Sequence, residues 1–465
     1  MNTTPQARKT KGLFGKLRSS VAIAAADAAT WASRKAGRGA GGMIGGLVAG
    51  AIDPNLMANL GPGTNGAHRP TAIVTGTNGK STTTRMLAKA AQTTRAVATN
   101  EGGDNMDAGV ISALLAGRTA ETVVLEVDEL HVPAIAEKLD ADVLVLLNLS
   151  RDQLDRVGEI NKIERTLRAC VETRPDMTVI ANCDDVSVTS VAWDSPNVVW
   201  VSAGFGWAGD STSCPRTGGA IIHETREDGI VDWYAVKKLP DGREFRRPEP
   251  TWRITDEGVV VEKGAVTEEG TYPLNLKLPG NANRGNATQA IAAALALGIG
   301  VTIDDAITAA EQVDNVAGRY STVHFDGHDV RLMLAKNPAG WQEALSMVDR
   351  TADSLVISVN GQVADGQDLS WLWDVRFENF ESVHVVAAGE RGTDLAVRLG
   401  YAGVEHELIK DTVEAIRQCP PGRVEVLANY TAFRDLKRVL DRDGTVVSDT
   451  TASSEQAAPS EGKES

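Results

Sequence analysis

The fold is decided by the stretch Val74-Thr75-Gly76-Thr77-Asn78-Gly79-Lys80-Ser81. It follows a β-branched run, Thr71–Thr75, and leads into a helical pattern from Ser81 to Gln92. A strand, a glycine-bearing loop and a Lys-Ser pair at a helix start cradle nucleotide phosphates, because backbone N–H groups face the anion. Val74 stands where the general P-loop pattern has its first glycine. The stretch therefore indicates a narrower class of phosphate-binding protein.

Composition sets the general class of the protein. The chain has 465 residues, which is enough for two or three domains. With 42% hydrophobic and 23% charged residues, it is typical of globular proteins. The net charge of −15 argues against a nucleic-acid partner.

The charge is unevenly distributed along the chain. The first 40 residues contain eight Lys or Arg and one acid, Asp27, for a net charge of +7 that leaves −22 for the remainder. Such an arm can contact an anionic membrane surface, or it can be a solvated, partly ordered lead-in. No stretch reaches the roughly 18 apolar residues of a spanning helix. Without a recognisable secretory signal, we expect a cytoplasmic protein, with peripheral contact at the inner face of the plasma membrane as an option.

From about residue 69, short runs rich in Val, Ile and Leu alternate with helical patterns. This rhythm predicts an α/β fold with a parallel sheet covered on both faces. Between about 202 and 272 the rhythm breaks, and short alternating pieces predict a small antiparallel insertion. The strands predicted for the two α/β units are Ala72–Thr75, Thr122–Val127, Val143–Asn148 and Thr178–Ala181, then Val330–Leu334, Leu355–Val359, Val383–Ala387 and Val424–Leu427.

These patterns predict four segments. A basic N-terminal arm, 1–68, leads into a central ATP-binding domain, 69–320, which contains the insertion. A C-terminal α/β domain, 321–450, follows, and the Ser/Ala/Glu-rich tail 451–465 is predicted to be disordered.

Further candidate residues follow other strands and open other helices. Glu126 ends a predicted strand beside the phosphate loop, so it can bind Mg²⁺ or merely precede the next helix. Thr82 and its two following threonines place hydroxyl groups in the first turn of a helix. Asn283 and Asn286 open a later helix, where they can contact the nucleotide or serve as N-caps.

These motifs resemble those of the Mur ligases and folylpolyglutamate synthases. Thr75–Ser81 is similar to their ATP loop, Leu149–Arg156 to their Asn-x-x-x-Asp-His-Leu-Asp segment, and Gly280–Ala287 to their Gly-x-x-Asn-x-x-Asn-Ala segment. The resemblance implies a Mur ligase-type central P-loop ATPase domain with a small β insertion, plus a C-terminal Rossmann-like α/β domain. It implies ATP and Mg²⁺, with Mg²⁺ held by Ser81 and Glu126. The residues that it assigns to ATP are Gly76, Thr77, Asn78, Gly79, Lys80, Ser81, Thr82, Asn283, Asn286 and Arg319.

Two positions depart from these families. Gln153 replaces a metal-binding His, and because an amide is a weaker ligand than imidazole, a second metal site is in doubt. The insertion retains one cysteine, Cys214, where members of the narrower group described next often carry a four-Cys zinc ribbon. One thiolate cannot complete a structural zinc site, so we expect no zinc and an insertion held by packing.

Nearly the whole chain, about residues 30–445, resembles a narrower group, the MurT family. The residues that carry this likeness are Leu334–Gly340 and the loop Val359–Asp374, with its Trp371 and Trp373, together with Asn100–Met106 and Arg151–Arg156. The family is the synthetase subunit of lipid II isoglutaminyl synthase. The resemblance implies a heterodimer with a GatD-type glutaminase, and a lipid II substrate at the membrane surface.

The implied reaction is the ATP-dependent amidation, through an acyl phosphate, of the α-carboxylate of D-glutamate in the lipid II stem peptide. The resemblance assigns to Asp368 the acid that completes the partner's Cys–His pair, which suits a catalytic His because a carboxylate fixes its tautomer. Two alternatives remain: a stand-alone Mur or folylpolyglutamate-type amino-acid ligase, and an inactive scaffold for a glutaminase.

Overall fold

The computed structural model describes residues 13–35, 42–63, 66–100, 103–150, 159–204, 212–226, 231–262, 267–314, 322–378, 380 and 383–446. The described chain divides into two units, one up to residue 314 and one from residue 322. The predicted disordered tail, 451–465, lies outside the described residues. No described helix is long and apolar enough to cross a bilayer.

The first unit is built on a nine-stranded sheet with the order β11-β10-β9-β6-β5-β4-β1-β3-β2. The strands β1 to β6 pair in parallel. Of these, β1, β3, β4 and β5 are runs rich in Val, Ile, Leu or Ala that are largely buried on both faces, whereas β2 and β6 are partly exposed. The strands of this unit are β1 Thr71–Thr75, β2 Val97–Thr99, β3 Thr122–Glu126, β4 Val143–Leu146, β5 Thr178–Asn182, β6 Val198–Ser202, β7 Ile221–Thr225, β8 Val231–Ala235, β9 Trp252–Thr255, β10 Gly258–Val261 and β11 Gly270–Tyr272.

Helices follow most of the parallel strands, as the alternating pattern predicted. The helices of the first unit are α1 Leu13–Lys35, α2 Gly42–Ile52, α3 Leu56–Leu60, α4 Lys80–Gln92, α5 Asp107–Ala116, α6 Val132–Leu139, α7 Glu159–Glu172, α8 Val186–Ala192, α9 Asn281–Ala296 and α10 Ile303–Glu311. Helix α9 begins at Asn281, before both Asn283 and Asn286, and it follows directly on Gly280, which has φ of 95°.

The predicted insertion is only partly a separate element, and this corrects the expectation for residues 202–272. Strands β7 and β8 form an antiparallel pair of their own. The hairpin strands β9, β10 and β11 instead extend the main sheet, because β9 pairs in parallel with β6 through Val201 and Trp252.

The described part of the N-terminal arm differs from a solvated lead-in. Helices α1 and α2 form an antiparallel pair, since Arg18 Nε donates to the carbonyl of Ile52 over 2.6 Å and Gly45 lies against Thr30. Ala22 and Ala26 are buried in the same hydrophobic core as Val110 and Leu114 of α5. Small side chains on α1 thus let it pack closely onto the first unit.

The second unit is a seven-stranded sheet with the order β16-β15-β14-β17-β13-β12-β18. Its five strands from β16 to β13 are parallel, and β12 and β18 pair in antiparallel fashion at one edge. The elements are β12 Thr322–Phe325, β13 His328–Leu334, α11 Pro338–Met347, β14 Ser354–Ser358, β15 His384–Ala388, α12 Gly392–Tyr401, β16 Glu407–Leu408, α13 Thr412–Gln418, β17 Gly422–Ala428, α14 Tyr430–Asp443 and β18 Thr445–Val446. The α/β prediction is confirmed in both units.

Candidate active site

The loop between β1 and α4 is fixed by the chain that follows β4. The Thr77 N–H donates to the carbonyl of Asn148 over 2.9 Å. The Asn148 side chain accepts from the Asn78 N–H over 2.9 Å and returns a hydrogen bond to the Asn78 carbonyl over 3.0 Å. The Thr77 hydroxyl lies 3.0 Å from the N–H of Ser150. Because both sides of the loop are bonded, its shape is set before any ligand binds.

Two glycines shape the loop. Gly76 has φ of 140° and would place a Cβ 2.9 Å from the Asn148 carbonyl oxygen. Gly79 has φ of 87°, and a Cβ there would lie 2.6 Å from Oδ1 of Asn286. Beyond Gly79 the chain enters α4, whose first N–H groups have no acceptor within the helix. The loop and the helix start thus form a concave, positively polarised site for an anion.

Lys80 supplies the charge at this site. Its ammonium donates to the carbonyl of Gly76 over 2.5 Å and lies 3.3 Å from a carboxylate oxygen of Glu129. Both side chains are largely buried. Burial raises the pKa of Glu129, and the nearby Lys80 cation only partly offsets that rise.

Ser81 and Glu126 are brought together as a pair of oxygen ligands. The Ser81 hydroxyl donates to Oε2 of Glu126 over 2.8 Å, and Asn105 reaches the other carboxylate oxygen over 3.3 Å. The described residues contain no cluster of three or more His, Cys, Asp or Glu around one metal position. Mg²⁺ does not require one, because it commonly takes one or two protein oxygens together with waters and phosphates.

Asn100 fixes the position of Glu126. Its amide donates to the Glu126 carbonyl and its Oδ1 accepts from the Glu126 N–H, both over 2.8 Å. The same amide also donates to the carbonyl of Asp104 over 2.9 Å. The carboxylate is therefore held on a backbone that is clamped on both sides, next to the N-terminus of α4.

The remaining candidate residues differ in where the structure places them. Asn286 lies against Gly79 and so borders the loop, whereas the Asn283 amide donates to the Pro279 carbonyl over 2.6 Å and stabilises the start of α9. Thr82 is buried in the first turn of α4. Arg319 and Gln153 lie outside the described residues, as does the rest of Arg151–Arg156.

Cys214 belongs to a small apolar core in the insertion. Trp233 and Phe245 are fully buried beside it, with ring centroids 5.2 Å apart. The Trp233 indole N–H donates to the carbonyl of Cys183 over 3.1 Å and ties this core to the end of β5. Packing and this hydrogen bond give the β7–β8 region its own hydrophobic centre.

Asp368 lies on an exposed loop of the second unit. One of its carboxylate oxygens accepts the backbone N–H of Ser370 over 2.8 Å, and this hydrogen bond holds the pKa of Asp368 below its usual value. The beginning of the loop is fixed by Asn429, which accepts from the Asn360 N–H over 2.9 Å and donates to its carbonyl over 2.7 Å. Asp368 is thus an ionised carboxylate on a loop whose base is rigid.

The two tryptophans after Asp368 have different environments. Trp371 is buried and stacks on Trp341, with ring centroids 5.3 Å apart, so it packs in the core of the second unit. Trp373 is exposed and meets the exposed ring of Tyr401 edge-on at 5.3 Å. One tryptophan is therefore a core residue, and the other contributes to an aromatic patch on the surface.

Sequence analysis missed several residues that fix the site. Asn100, Asn148 and Glu129 were not named as site residues, although each lies at or just after the carboxyl end of a strand. Gln289 was missed as well; its buried amide donates to the Leu146 carbonyl over 2.9 Å and ties α9 to β4. Polar residues at strand ends were the available signal for the first three.

Comparisons with known proteins agree with this geometry. Residues 74–213 match the Mur ligase middle domain, and residues 334–433 match the MurT ligase C-terminal domain. A curated relative is the lipid II isoglutaminyl synthase (glutamine-hydrolyzing) subunit MurT of Streptococcus pneumoniae. It is 27% identical over 399 residues, which cover 79% of this chain and 86% of the relative.

Solved structures share the fold at low sequence identity. A pseudomurein peptide ligase type C from Methanothermus fervidus superposes with a TM-score of 0.61 and 17% identity, covering 80% of this chain and 79% of the other. A bifunctional folylpolyglutamate synthase/dihydrofolate synthase with Mn, AMPPNP and L-glutamate bound gives a TM-score of 0.54 and 17% identity, covering 83% and 93%.

The first unit thus has the fold and the phosphate loop of the Mur ligase class, whose middle domain matches residues 74–213. The C-terminal match narrows the assignment beyond that class. Residues 334–433 match the MurT ligase C-terminal domain, and the chain is similar to curated MurT subunits over most of its length, as its sequence motifs had indicated.

Proposed function

We propose that this protein is the synthetase subunit of a lipid II isoglutaminyl synthase. It uses ATP to convert the α-carboxylate of D-glutamate in the lipid II stem peptide to the amide of D-isoglutamine, at the cytoplasmic face of the membrane. The observation that carries the proposal is the presence, in one chain, of a complete phosphate loop and a MurT ligase C-terminal domain. The Streptococcus pneumoniae relative bears the corresponding name.

The residues around the loop fit ATP and Mg²⁺. The loop amides and the N-terminus of α4 suit phosphate oxygens, and Lys80 adds a cation beside them. Ser81 and Glu126 would hold Mg²⁺, since a hydroxyl and a carboxylate are oxygen ligands of the kind it prefers. The ion would neutralise charge on the phosphates.

The chain's own groups act mainly by orientation and charge. A substrate carboxylate oxygen attacks the γ-phosphorus of ATP, the bond to the β-phosphate oxygen breaks, and ADP leaves. Lys80 stabilises the charge on the phosphoryl group during this transfer. Ammonia then attacks the acyl carbon of the acyl phosphate, inorganic phosphate leaves, and the nitrogen loses a proton to give the amide.

The ammonia comes from a GatD-type glutaminase partner. All four cysteines of this chain are buried, and burial raises the pKa of Cys170, Cys183 and Cys419. Because a buried, protonated thiol is a poor nucleophile, these side chains are unsuited to releasing ammonia from glutamine. Asp368, ionised and exposed, is suited to orient a catalytic His of the partner.

Reconstituted amidation tests the synthetase role. The full chain is mixed with the glutaminase, ATP, Mg²⁺, lipid II and either glutamine or ammonium. Lys80→Ala should lower the rate with both nitrogen sources by about 10²–10³-fold. Lys89→Ala is the matched control, because it removes a lysine from the other end of the same helix. Wild-type amidation by Lys80→Ala, or none by the wild-type pair, would reject the proposal.

A second substitution separates the two half-reactions. Asp368→Asn should abolish most glutamine-dependent amidation and keep ammonia-dependent amidation. Asp374→Asn makes the same charge change six residues away and should preserve both. Complex formation is measured in parallel by sedimentation. An equal loss of both activities in Asp368→Asn, with the complex intact, would refute the assigned role.

A further inference from the structure

Helix α1 carries a continuous apolar stripe on its solvent side. Leu17, Val21 and Trp31 have relative exposures of 63%, 53% and 64%. Ala24 and Ala28 are exposed between them. These positions are three or four residues apart, so they lie along one face of the helix. The opposite face is the one that packs into the core through Ala22 and Ala26.

The neighbouring helix α2 adds a second apolar surface. Its sequence, Gly42–Ile52, contains no charged side chain. Met43, Ile44 and Leu47 are exposed, Leu47 at 56%. The two helices lie side by side as an antiparallel pair, with Arg18 bonded to Ile52. Adjacent exposed apolar faces of this kind mark an interaction site.

Charge distinguishes a lipid surface from a protein partner at this site. The first 40 residues carry a net charge of +7, whereas the rest of the chain carries −22. The only acid in this segment, Asp27, is paired with Arg118 over 3.1 Å. An anionic surface would therefore attract this end of the chain and repel the remainder.

Trp31 has the arrangement expected at a membrane interface. The ammonium of Lys35 lies 5.0 Å from the centre of its ring. Tryptophan is enriched where hydrocarbon meets water, and a nearby lysine can reach lipid phosphates while the ring sits among the acyl chains. Helices with one apolar face and basic residues lie in this plane.

We propose that the solvent faces of α1 and α2 form a docking surface for an anionic lipid bilayer. Leu17, Val21 and Trp31 of α1, with Met43, Ile44 and Leu47 of α2, enter the interface, and Lys35, beside Trp31, contacts the headgroups. The inference deepens the proposed function, on which it rests for its lipid-linked substrate. Docking brings the enzyme to the surface that holds this substrate.

Vesicle co-sedimentation of the full chain tests the docking surface without ATP, lipid II or glutaminase. We expect binding to vesicles of phosphatidylcholine mixed with phosphatidylglycerol and little binding to phosphatidylcholine alone, with weakening by added salt. The double substitution Val21→Glu with Trp31→Glu should lower the affinity about tenfold or more. The control Val236→Glu, at a position 62% exposed in the insertion, should not change it.

A second variant and two further measurements complete the test. Leu47→Glu should also weaken vesicle binding, and it addresses α2 if the double variant fails to fold by circular dichroism. Equal binding of folded variants and wild type, or no wild-type binding, would overturn the inference. The inference would also be overturned if these substitutions abolished a dimer formed without lipid, or abolished the complex with the glutaminase, because the surface would then be a protein interface. Since vesicle binding needs no catalysis, its failure is distinguishable from failed amidation of a soluble muropeptide.

Discussion

The hydroxyl of Ser81 donates a 2.8 Å hydrogen bond to a carboxylate oxygen of Glu126, across 45 residues of sequence. The pair joins the first turn of α4 to the end of β3. If both oxygens hold one Mg²⁺, Ser81→Ala and Glu126→Gln should each lower ATP-dependent turnover by about 10²-fold and raise the Mg²⁺ concentration needed. The double variant should lose no more turnover than the less active of the two single variants, because both groups act on the same ion. Thr94→Ala, just beyond α4, is the control; an unchanged Mg²⁺ requirement in Ser81→Ala would contradict the pairing.

The contact between Gly79 and Asn286 makes a second prediction. Gly79→Ala combines a left-handed backbone, at φ of 87°, with a Cβ 2.6 Å from Oδ1 of Asn286. We expect it to weaken ATP binding about tenfold or more and to destabilise the first unit by about 1–2 kcal/mol. Calorimetric titration and thermal unfolding measure the two effects.

Gly66→Ala provides a matched control for this substitution. Gly66 has a similar φ, 78°, and nothing lies within 4 Å of a Cβ placed there. Gly66→Ala should therefore lose stability, because alanine disfavours this left-handed backbone, but it should bind ATP as the wild type does. If the clash is responsible, Gly79→Ala should cost less ATP affinity in an Asn286→Ala background than in the wild type, and an equal loss in both backgrounds would argue that it is not.

Glu129 predicts a pH dependence of stability. Because burial raises its pKa, the folded protein holds this proton more tightly than the unfolded chain. The contribution of Glu129 to the free energy of unfolding therefore falls as pH rises from 4.5 toward the folded-state pKa. The unfolding temperature of Glu129→Gln minus that of the wild type should therefore be larger at neutral pH than at pH 4.5. Glu137→Gln, at an exposed position of α6, should show no such change, and parallel curves for Glu129→Gln and wild type would contradict the prediction.

Asp365 is expected to position the loop that carries Asp368. Its carboxylate accepts from the Thr431 N–H over 2.8 Å and from the Thr431 hydroxyl, at the start of α14. Asp365→Ala should lower stability by about 1–3 kcal/mol. It should also reduce glutamine-dependent amidation more than ammonia-dependent amidation. A uniform loss with both nitrogen sources would indicate a purely structural role.

The local parts of the fold and site were predictable from sequence. Continuous apolar runs predicted eight of the parallel strands to within two residues, as for Thr122–Val127, which forms a strand over Thr122–Glu126, whereas β2, β6 and β16 were not predicted. Lys80 and Ser81 were predictable as neighbours of the loop because the motif is contiguous. Their roles in binding ATP and Mg²⁺ remain predictions.

Long-range contacts were not predictable from one sequence. The bonds between Asn148 and Asn78 span 70 residues, and neither asparagine indicates its partner. The strand β9 joins the main sheet through Trp252 and Val201, although its local pattern resembles that of any short antiparallel strand. Trp371 and Trp373 differ in burial because residues two apart in a 3₁₀ turn, here Ser370–Trp373, point in different directions.

The continuity of β9–β11 with the main sheet limits how this protein can be shortened. Removing residues 202–272 would strip β9 from the end of β6 and leave Val201 and the carbonyl of Trp200 without their partners on that side. Trp200 and Val201 would then lie on a bare sheet edge rich in β-branched and aromatic residues. Such an edge templates intermolecular strand pairing. Deleting the insertion would thus yield an aggregation-prone protein.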